Sequence, residues 1–116
     1  MSDRSDSSAY QTPAPAFHEL IHAPVRLRIC GLLRPVEELE FAVLRDTLRL
    51  KDANLSKNLT LLAEAGLVRT RKEFSPVRND ARKLTWASLT VEGRAALSAH
   101  LAALRAIAEG DPSLPG

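Results

Sequence analysis

Residues 49–68 read Arg-Leu-Lys-Asp-Ala-Asn-Leu-Ser-Lys-Asn-Leu-Thr-Leu-Leu-Ala-Glu-Ala-Gly-Leu-Val. Leu55, Leu59 and Leu62 fall at i, i+4 and i+7, which draws one apolar stripe along a helix. Asp52 stands where an N-cap belongs, with a carboxylate able to accept from an orphan N–H of the first turn. Gly66 is placed to end the helix at its C′ position. Opposite the stripe lie Asn54, Lys57 and Thr60, with Ser56 and Asn58 on the flanks. Amides, hydroxyls and one ammonium suit the donor and acceptor pattern of the DNA major groove. An ordinary surface helix with a solvated outer face has the same pattern, so the neighbouring segments must decide.

Upstream, Phe41, Leu44 and Leu48 give a second stripe at i, i+3 and i+7, with Ala42, Arg45, Asp46 and Arg49 away from it. A turn at Leu50–Lys51 joins this helix to the next. Two short helices on a tight turn make a helix-turn-helix, whose second helix is the reader. Downstream of Gly66 the period changes to two. Val68, Thr70, Lys72 and Phe74 alternate with Arg69, Arg71 and Glu73 as a strand. Ser75 to Arg82, with Pro76, Asn79 and Asp80, has loop composition, and Lys83 to Leu89 reads as a second strand. This hairpin carries Arg69, Arg71, Lys72, Arg78, Arg82 and Lys83 against only Glu73 and Asp80. Clustered basic charge beside a reading helix is the footprint of phosphate contacts; the alternative is a solvated hairpin.

The rest of the chain frames this core. Residues 1–16 are rich in Ser, Asp, Pro, Gln and Thr and are expected to be a disordered tail or a loosely docked arm. Phe17, Leu20 and Ile21 form the apolar face of a short helix. Pro24 starts a second at its first position, with Val25, Ile29, Leu32 and Leu33 apolar and Leu27 on a flank, and Pro35 ends it. Glu37 to Glu40 is an acidic connector with room for a minimal strand. Thr90 can cap a last helix, with Glu92 favourable near its N-terminus. Leu97, Leu101, Leu104 and Ala108 make one stripe among many alanines. Such a helix can bury against its own domain or against a symmetry mate. From Asp111 the chain is expected to fray.

Composition bounds the function. The 116 residues suit one small domain, here 17–110. A net charge of +2 is only mildly basic, so distribution matters more than total. Cys30 is the single cysteine, which excludes an internal disulfide and fits a reducing, cytoplasmic setting. No apolar run follows the N-terminal charges and none is long enough to span a bilayer, so neither a signal peptide nor a membrane partner is expected.

In this order, the stretches Ala23–Ile29, Asn54–Leu59, Glu64–Val68, Lys72–Phe74 and Leu89–Arg94 resemble the small winged-helix transcriptional regulators of the MarR and ArsR type, particularly compact MarR-like ones. The resemblance covers Phe17 to about Ala108. It implies an α+β, mostly α fold: a winged helix-turn-helix with a two-stranded wing and a long C-terminal helix. It also implies a homodimeric regulator, a repressor, on double-stranded DNA with a near-palindromic operator. Helix 53–65 would enter the major groove, and wing 69–85 would lie on the backbone or adjacent minor groove. The terminal helices would dimerise through Phe17, Leu20, Leu97, Leu101 and Leu104. Ser56 and Lys57 match DNA-facing positions. Asn58 replaces a histidine common there, and Ala63 an acidic residue.

By their chemistry, Lys57 would bond a guanine edge or a phosphate, Asn54 and Asn58 would read adenine, and Ser56 and Thr60 would meet phosphates or bases. Arg71, Lys72, Arg78, Asn79 and Arg82 would supply backbone contacts. Half-sites would lie roughly 10 bp apart.

His18 and His22 are four apart, and His100 lies on the last helix, but a lone cysteine does not make a soft-metal site, and no metal or cofactor is expected. Cys30, in an apolar helix, reads as a buried small hydrophobe. No phosphate loop, nucleophile elbow or paired-histidine motif is present, so no enzyme is expected. The competing classes are a winged helix that docks proteins without binding DNA, and a metal- or ligand-responsive sensor with an effector at the dimer interface.

Overall fold

A computed structural model describes residues 14–74 and 83–112. These residues form α1 (Glu19–His22), α2 (Pro24–Leu33), β1 (Leu39–Glu40), α3 (Phe41–Leu48), α4 (Asp52–Glu64), β2 (Val68–Phe74), β3 (Lys83–Leu89) and α5 (Val91–Ala108). The expected helix-turn-helix is α3–α4, and the period-two segments are β2 and β3. The connector contributes a real strand: β1 pairs antiparallel with β3, Leu39 opposite Ala87 and Glu40 opposite Trp86. The sheet therefore has three strands in the order β1-β3-β2 instead of a free two-stranded hairpin. On the far side of β3, register runs from Val68 opposite Leu89 to Phe74 opposite Lys83. Expectations for residues 1–13, for the wing positions Arg78, Asn79 and Arg82, and for 113–116 lie outside the described residues. Just before Phe17, the Ala16 N–H donates to the Ala99 carbonyl at 3.0 Å, tying this segment to α5.

The apolar stripes converge on one core. Ile21, Ile29, Cys30, Leu33, Leu44, Leu48, Leu55, Leu59, Leu62, Leu67, Val68, Ala87, Leu89 and Leu97 are all buried. Burial pushes the Cys30 thiol up to about 11, so it stays a neutral, inert side chain at neutral pH. No helix among the described residues is long and apolar enough to cross a membrane.

The ends of α4 are set by different devices. At the start, Lys51 is the N-cap and offers no capping side chain. Asp52 is the first helical residue, which corrects its expected capping role. Its carboxylate instead accepts from Arg45 Nη1 at 3.0 Å, clamping α3 to α4 across the turn while still favouring the positive helix end. At the other end, Gly66 has φ +78°. The Gly66 N–H reaches Ala63 O at 3.0 Å and the Leu67 N–H reaches Leu62 O at 2.9 Å, the paired bonds of a Schellman motif.

The start of α5 is locked onto that exit. Thr90 Oγ1 accepts from the Gly93 N–H at 2.8 Å, the expected cap, and donates to the Gly66 carbonyl at 2.7 Å. The Thr90 N–H donates to Leu67 O at 3.0 Å. Gly93 lies so close that a β-carbon there would stand 1.9 Å from Leu67 O. Arg94 then donates to the carbonyls of Arg34 at 2.6 Å and Val36 at 2.9 Å, tying α5 to the end of α2.

The buried face of α5 differs from the expected stripe. It consists of Gly93, Leu97, His100 and Ala103. Leu97, expected at a dimer surface, is 1% exposed inside its own domain, while Leu101 and Leu104 are half-buried. His100 is fully buried. Its Nδ1 accepts the His18 N–H at 2.9 Å, which leaves the proton on Nε2, facing His22 Nδ1 at 3.4 Å. Phe17 closes the cluster with ring centroids 4.7 Å from His22 and 4.8 Å from His100. The two ring nitrogens of His100 are thus occupied by the protein itself. No group of metal-capable side chains among the described residues is set to hold an ion.

Gly93→Ala lowers stability by about 3 kcal/mol because a carbonyl oxygen occupies the space of the new methyl group. Gly31→Ala, with nothing within 4 Å of the added carbon in the interior of α2, raises stability by about 1 kcal/mol. Urea midpoints of the two variants check the pair. Burial, with the charges of His22 and His18 adding, holds the His100 pKa below its ordinary value of 6.5. The unfolded chain therefore takes up this proton first, and the stability contributed by neutral His100 is full above 6.5 and lost as pH falls below it. Urea midpoints measured from about pH 7.5 to about pH 5.5 should fall, and should fall less in His100→Leu.

Candidate nucleic-acid interface

The sequence of α4 divides the helix lengthwise. Leu55, Leu59 and Leu62 are buried, whereas Asn54, Ser56, Lys57 and Thr60 are exposed together on the outer side. Four of the five expected side chains are thus on the outer side, and Asn58 is the exception. Asn58 is only 7% exposed. Its Oδ1 accepts from Arg26 Nη1 at 2.8 Å, and its Nδ2 donates to the Asn54 main-chain oxygen at 2.9 Å and to Asn54 Oδ1 at 2.7 Å. Position 58 lies one turn beyond Leu55 on its buried edge, and a guanidinium from α2 meets it there. Asn58 is committed to the protein's own structure and does not face outward.

Beside this face runs a groove of about 550 Å³ between α4 and the sheet. Ser56, Thr60, Thr70 and Thr85 line it with hydroxyls, and Lys72 supplies an ammonium. Lys72 is opposite Thr85 in the strand register, so both side chains project from the same side of the sheet. Glu64 adds a carboxylate to the lining.

Arg71 is the neighbour of Lys72 and therefore projects from the other side. There its Nε donates to Glu38 Oε2 at 3.0 Å, and its two other nitrogens bond Glu38 and Glu73. Its guanidinium also lies 5.5 Å from the centroid of the Trp86 ring. The hydrogen bond from Arg71 holds the Glu38 carboxyl below its ordinary range. Arg71, expected as a backbone contact, is thus neutralised by two carboxylates, and the charge of the wing is smaller than composition suggests. Lys83 sits over the Phe74 ring at 5.4 Å.

Other cations emerge where composition gave no signal. Arg49 ends α3 in the left-handed region, at φ 58°. The Arg49 and Leu50 N–H groups turn back to Asp46 O at 3.3 Å and Arg45 O at 2.9 Å, so this residue makes the turn of the helix-turn-helix. That conformation is usual for glycine and costs an arginine about 1 kcal/mol or more. Lys51 follows at the N-cap of α4. Both are exposed, and among the described residues Arg49, Lys51, Lys57, Arg69 and Lys72 take part in no ion pair. These five cations lie around the N-terminal half of α4 and along β2, while Arg28 and Arg34, exposed and also outside any ion pair among the described residues, lie on α2 and at its end. A strained arginine at a turn is visible only once the backbone is known.

Comparison with known proteins agrees with this geometry. A family model described as a winged helix DNA-binding domain matches residues 25–108. An uncharacterised protein of Methanocaldococcus jannaschii is 34% identical over 83 residues, spanning 72% of this chain and 86% of that protein. Among solved structures, a transcriptional regulator homologue from Pyrococcus horikoshii OT3 superposes with a TM-score of 0.70 at 28% identity, covering 79% of this chain and 87% of that one. HlyU from Vibrio cholerae superposes with a TM-score of 0.55 at 26% identity, covering 84% and 90%. The chain belongs to the winged helix DNA-binding domain family, among transcriptional regulators of the MarR and ArsR type, which are not enzymes.

Proposed function

We propose that the protein is a sequence-specific repressor that binds a near-palindromic operator in double-stranded DNA as a homodimer. The observation that carries this reading is the outer face of α4. Asn54, Ser56, Lys57 and Thr60 are exposed in one row, and unpaired cations flank the row at Arg49, Lys51 and Lys72. In a major groove, donors and acceptors on the row meet base edges while the flanking cations meet phosphates. Phosphate contacts fix the register and supply salt-dependent affinity; the row supplies sequence information. Lys72 and the hydroxyls of the groove offer a path for one DNA strand between α4 and the sheet.

The dimer in this proposal forms through the terminal segments. Phe17, Leu20, Leu101 and Leu104 remain half-buried in the single chain. A second copy related by a two-fold axis would cover them and place two α4 helices roughly one DNA turn apart.

Fluorescence anisotropy with random duplex DNA at increasing salt tests the reading. The parent protein binds tightly at low salt and loses affinity linearly on a logarithmic scale as salt rises. Binding that is absent at low salt overturns the proposal and favours a protein-docking role. Lys57→Ala weakens binding to a selected operator by about 1–3 kcal/mol if Lys57 bonds a base. Arg49→Gly separates stability from function: relief of the left-handed strain raises the melting midpoint by about 1 kcal/mol equivalent, while the lost phosphate contact reduces both affinity and salt dependence. Unchanged affinity in both variants would remove the N-terminal half of α4 from the interface.

A further inference from the structure

The hydrogen bonds beneath α4 fix the orientation of one side chain on its outer face. A guanidinium can only donate. Arg26 donates through Nε to the Leu20 carbonyl at 2.7 Å and through Nη1 to the side chain of Asn58 at 2.8 Å. The corner of the Asn58 amide nearest Arg26 must therefore be its oxygen. The amino corner then points toward Asn54, where the main-chain carbonyl, an obligatory acceptor, receives it at 2.9 Å. The Asn54 side-chain atom at 2.7 Å from that amino group must likewise accept, so it is Oδ1. Amide orientations are ordinarily ambiguous; here a fixed donor at one end determines both. The Asn54 amino group remains, without a partner among the described residues, on an exposed residue in the first turn of α4. In helix-turn-helix proteins this part of the reading helix contacts base edges.

We infer that the relay Arg26–Asn58–Asn54 makes Asn54 a specificity-determining hydrogen-bond donor that selects guanine or thymine in the major groove and rejects cytosine. The inference rests on the DNA-binding reading above and revises the expectation that Asn54 reads adenine. Asparagine recognises adenine by presenting oxygen and nitrogen together, to N6 and N7. In this chain the oxygen is turned inward and occupied. What faces the groove is an amino group, which pairs with acceptors: guanine presents two, O6 and N7, side by side, and thymine O4. Cytosine offers it no acceptor, so N4 would set donor against donor, and adenine offers only N7, beside an amino group that opposes it. Arg26 and Asn58 touch no base in this scheme; they are positioning residues.

Operator selection from a random duplex library, using the full chain, tests the assignment. Parent protein, Asn54→Ala, Asn54→Asp and Asn58→Ala are compared, with a thermal melt of each to verify folding. The parent should show a base-pair position at which guanine or thymine is preferred by about tenfold, and Asn54→Ala should flatten that position alone. In Asn54→Asp one carboxylate oxygen still accepts from Asn58 and the other faces the groove, so the preference should switch to cytosine or adenine. Asn58→Ala frees the Asn54 amide to turn, and the preference should fade while affinity for random duplex is retained. If Asn58→Ala fails to fold, the two variants of exposed Asn54 decide the matter. Adenine preferred at the Asn54-dependent position, no position altered by Asn54→Ala, or an unchanged preference in Asn54→Asp would each overturn the assignment and leave the regulator reading intact. A parent protein that enriches no duplex sequence would overturn both.

Discussion

The Leu67 carbonyl accepts the Thr90 N–H at 3.0 Å and stands where a β-carbon on residue 93 would have to be. Around that oxygen four elements meet: the exit of α4, the first residue of β2, the last of β3 and the first turn of α5. Gly66 lets the chain leave α4 in a left-handed conformation, and Thr90 satisfies both the Gly66 carbonyl and the first turn of α5. With the junction closed, the direction of β2 relative to α4 is set, and so is the groove between them. The Arg45–Asp52 bond performs a similar service at the other end of α4. α4 is thereby held at both ends by polar contacts, with its leucines buried between.

Polar groups on α4 are sorted by what lies beneath them. Asn58 faces a guanidinium and is absorbed; Asn54, one turn earlier, is oriented by it but remains exposed. Burying the Asn58 amide is tolerable because both its corners are bonded. The same sorting operates on charge. Arg71 turns away from the groove and is neutralised by Glu38 and Glu73, whereas Lys72, the next residue, keeps its charge in the groove. Alternation along one strand thus separates a structural arginine from a cation free for phosphate.

Much of this architecture is legible in the sequence because it is local. Leucine spacing marks α3 and α4, alternation marks β2 and β3, and Thr90 and Gly66 mark helix ends through chemistry within a turn of themselves. What escapes is non-local. Asn58 reads as a flank of the outer face because its partner, Arg26, lies on another helix. Arg71 reads as free because Glu38 belongs to the connector. The phase of α5 is obscured for a different reason: with alanine on every side, hydrophobicity barely distinguishes the stripe through Leu101 and Leu104 from the one through Gly93, Leu97 and His100. Asp52 stands one residue past its expected cap position, where its carboxylate bonds Arg45. Arg49 gives no signal at all, since its strained backbone is a property of the turn and not of its residue type.

The central claim, that the outer face of α4 and the adjoining groove receive duplex DNA, is tested most directly by mapping backbone amide chemical shifts of the full chain as random duplex is added at low salt. The account predicts shifts concentrated at residues 49–60 and at Lys72, with the buried side of α5 unmoved. Shifts confined to α5 and the Phe17–His22 segment, or none at any duplex concentration, would contradict it.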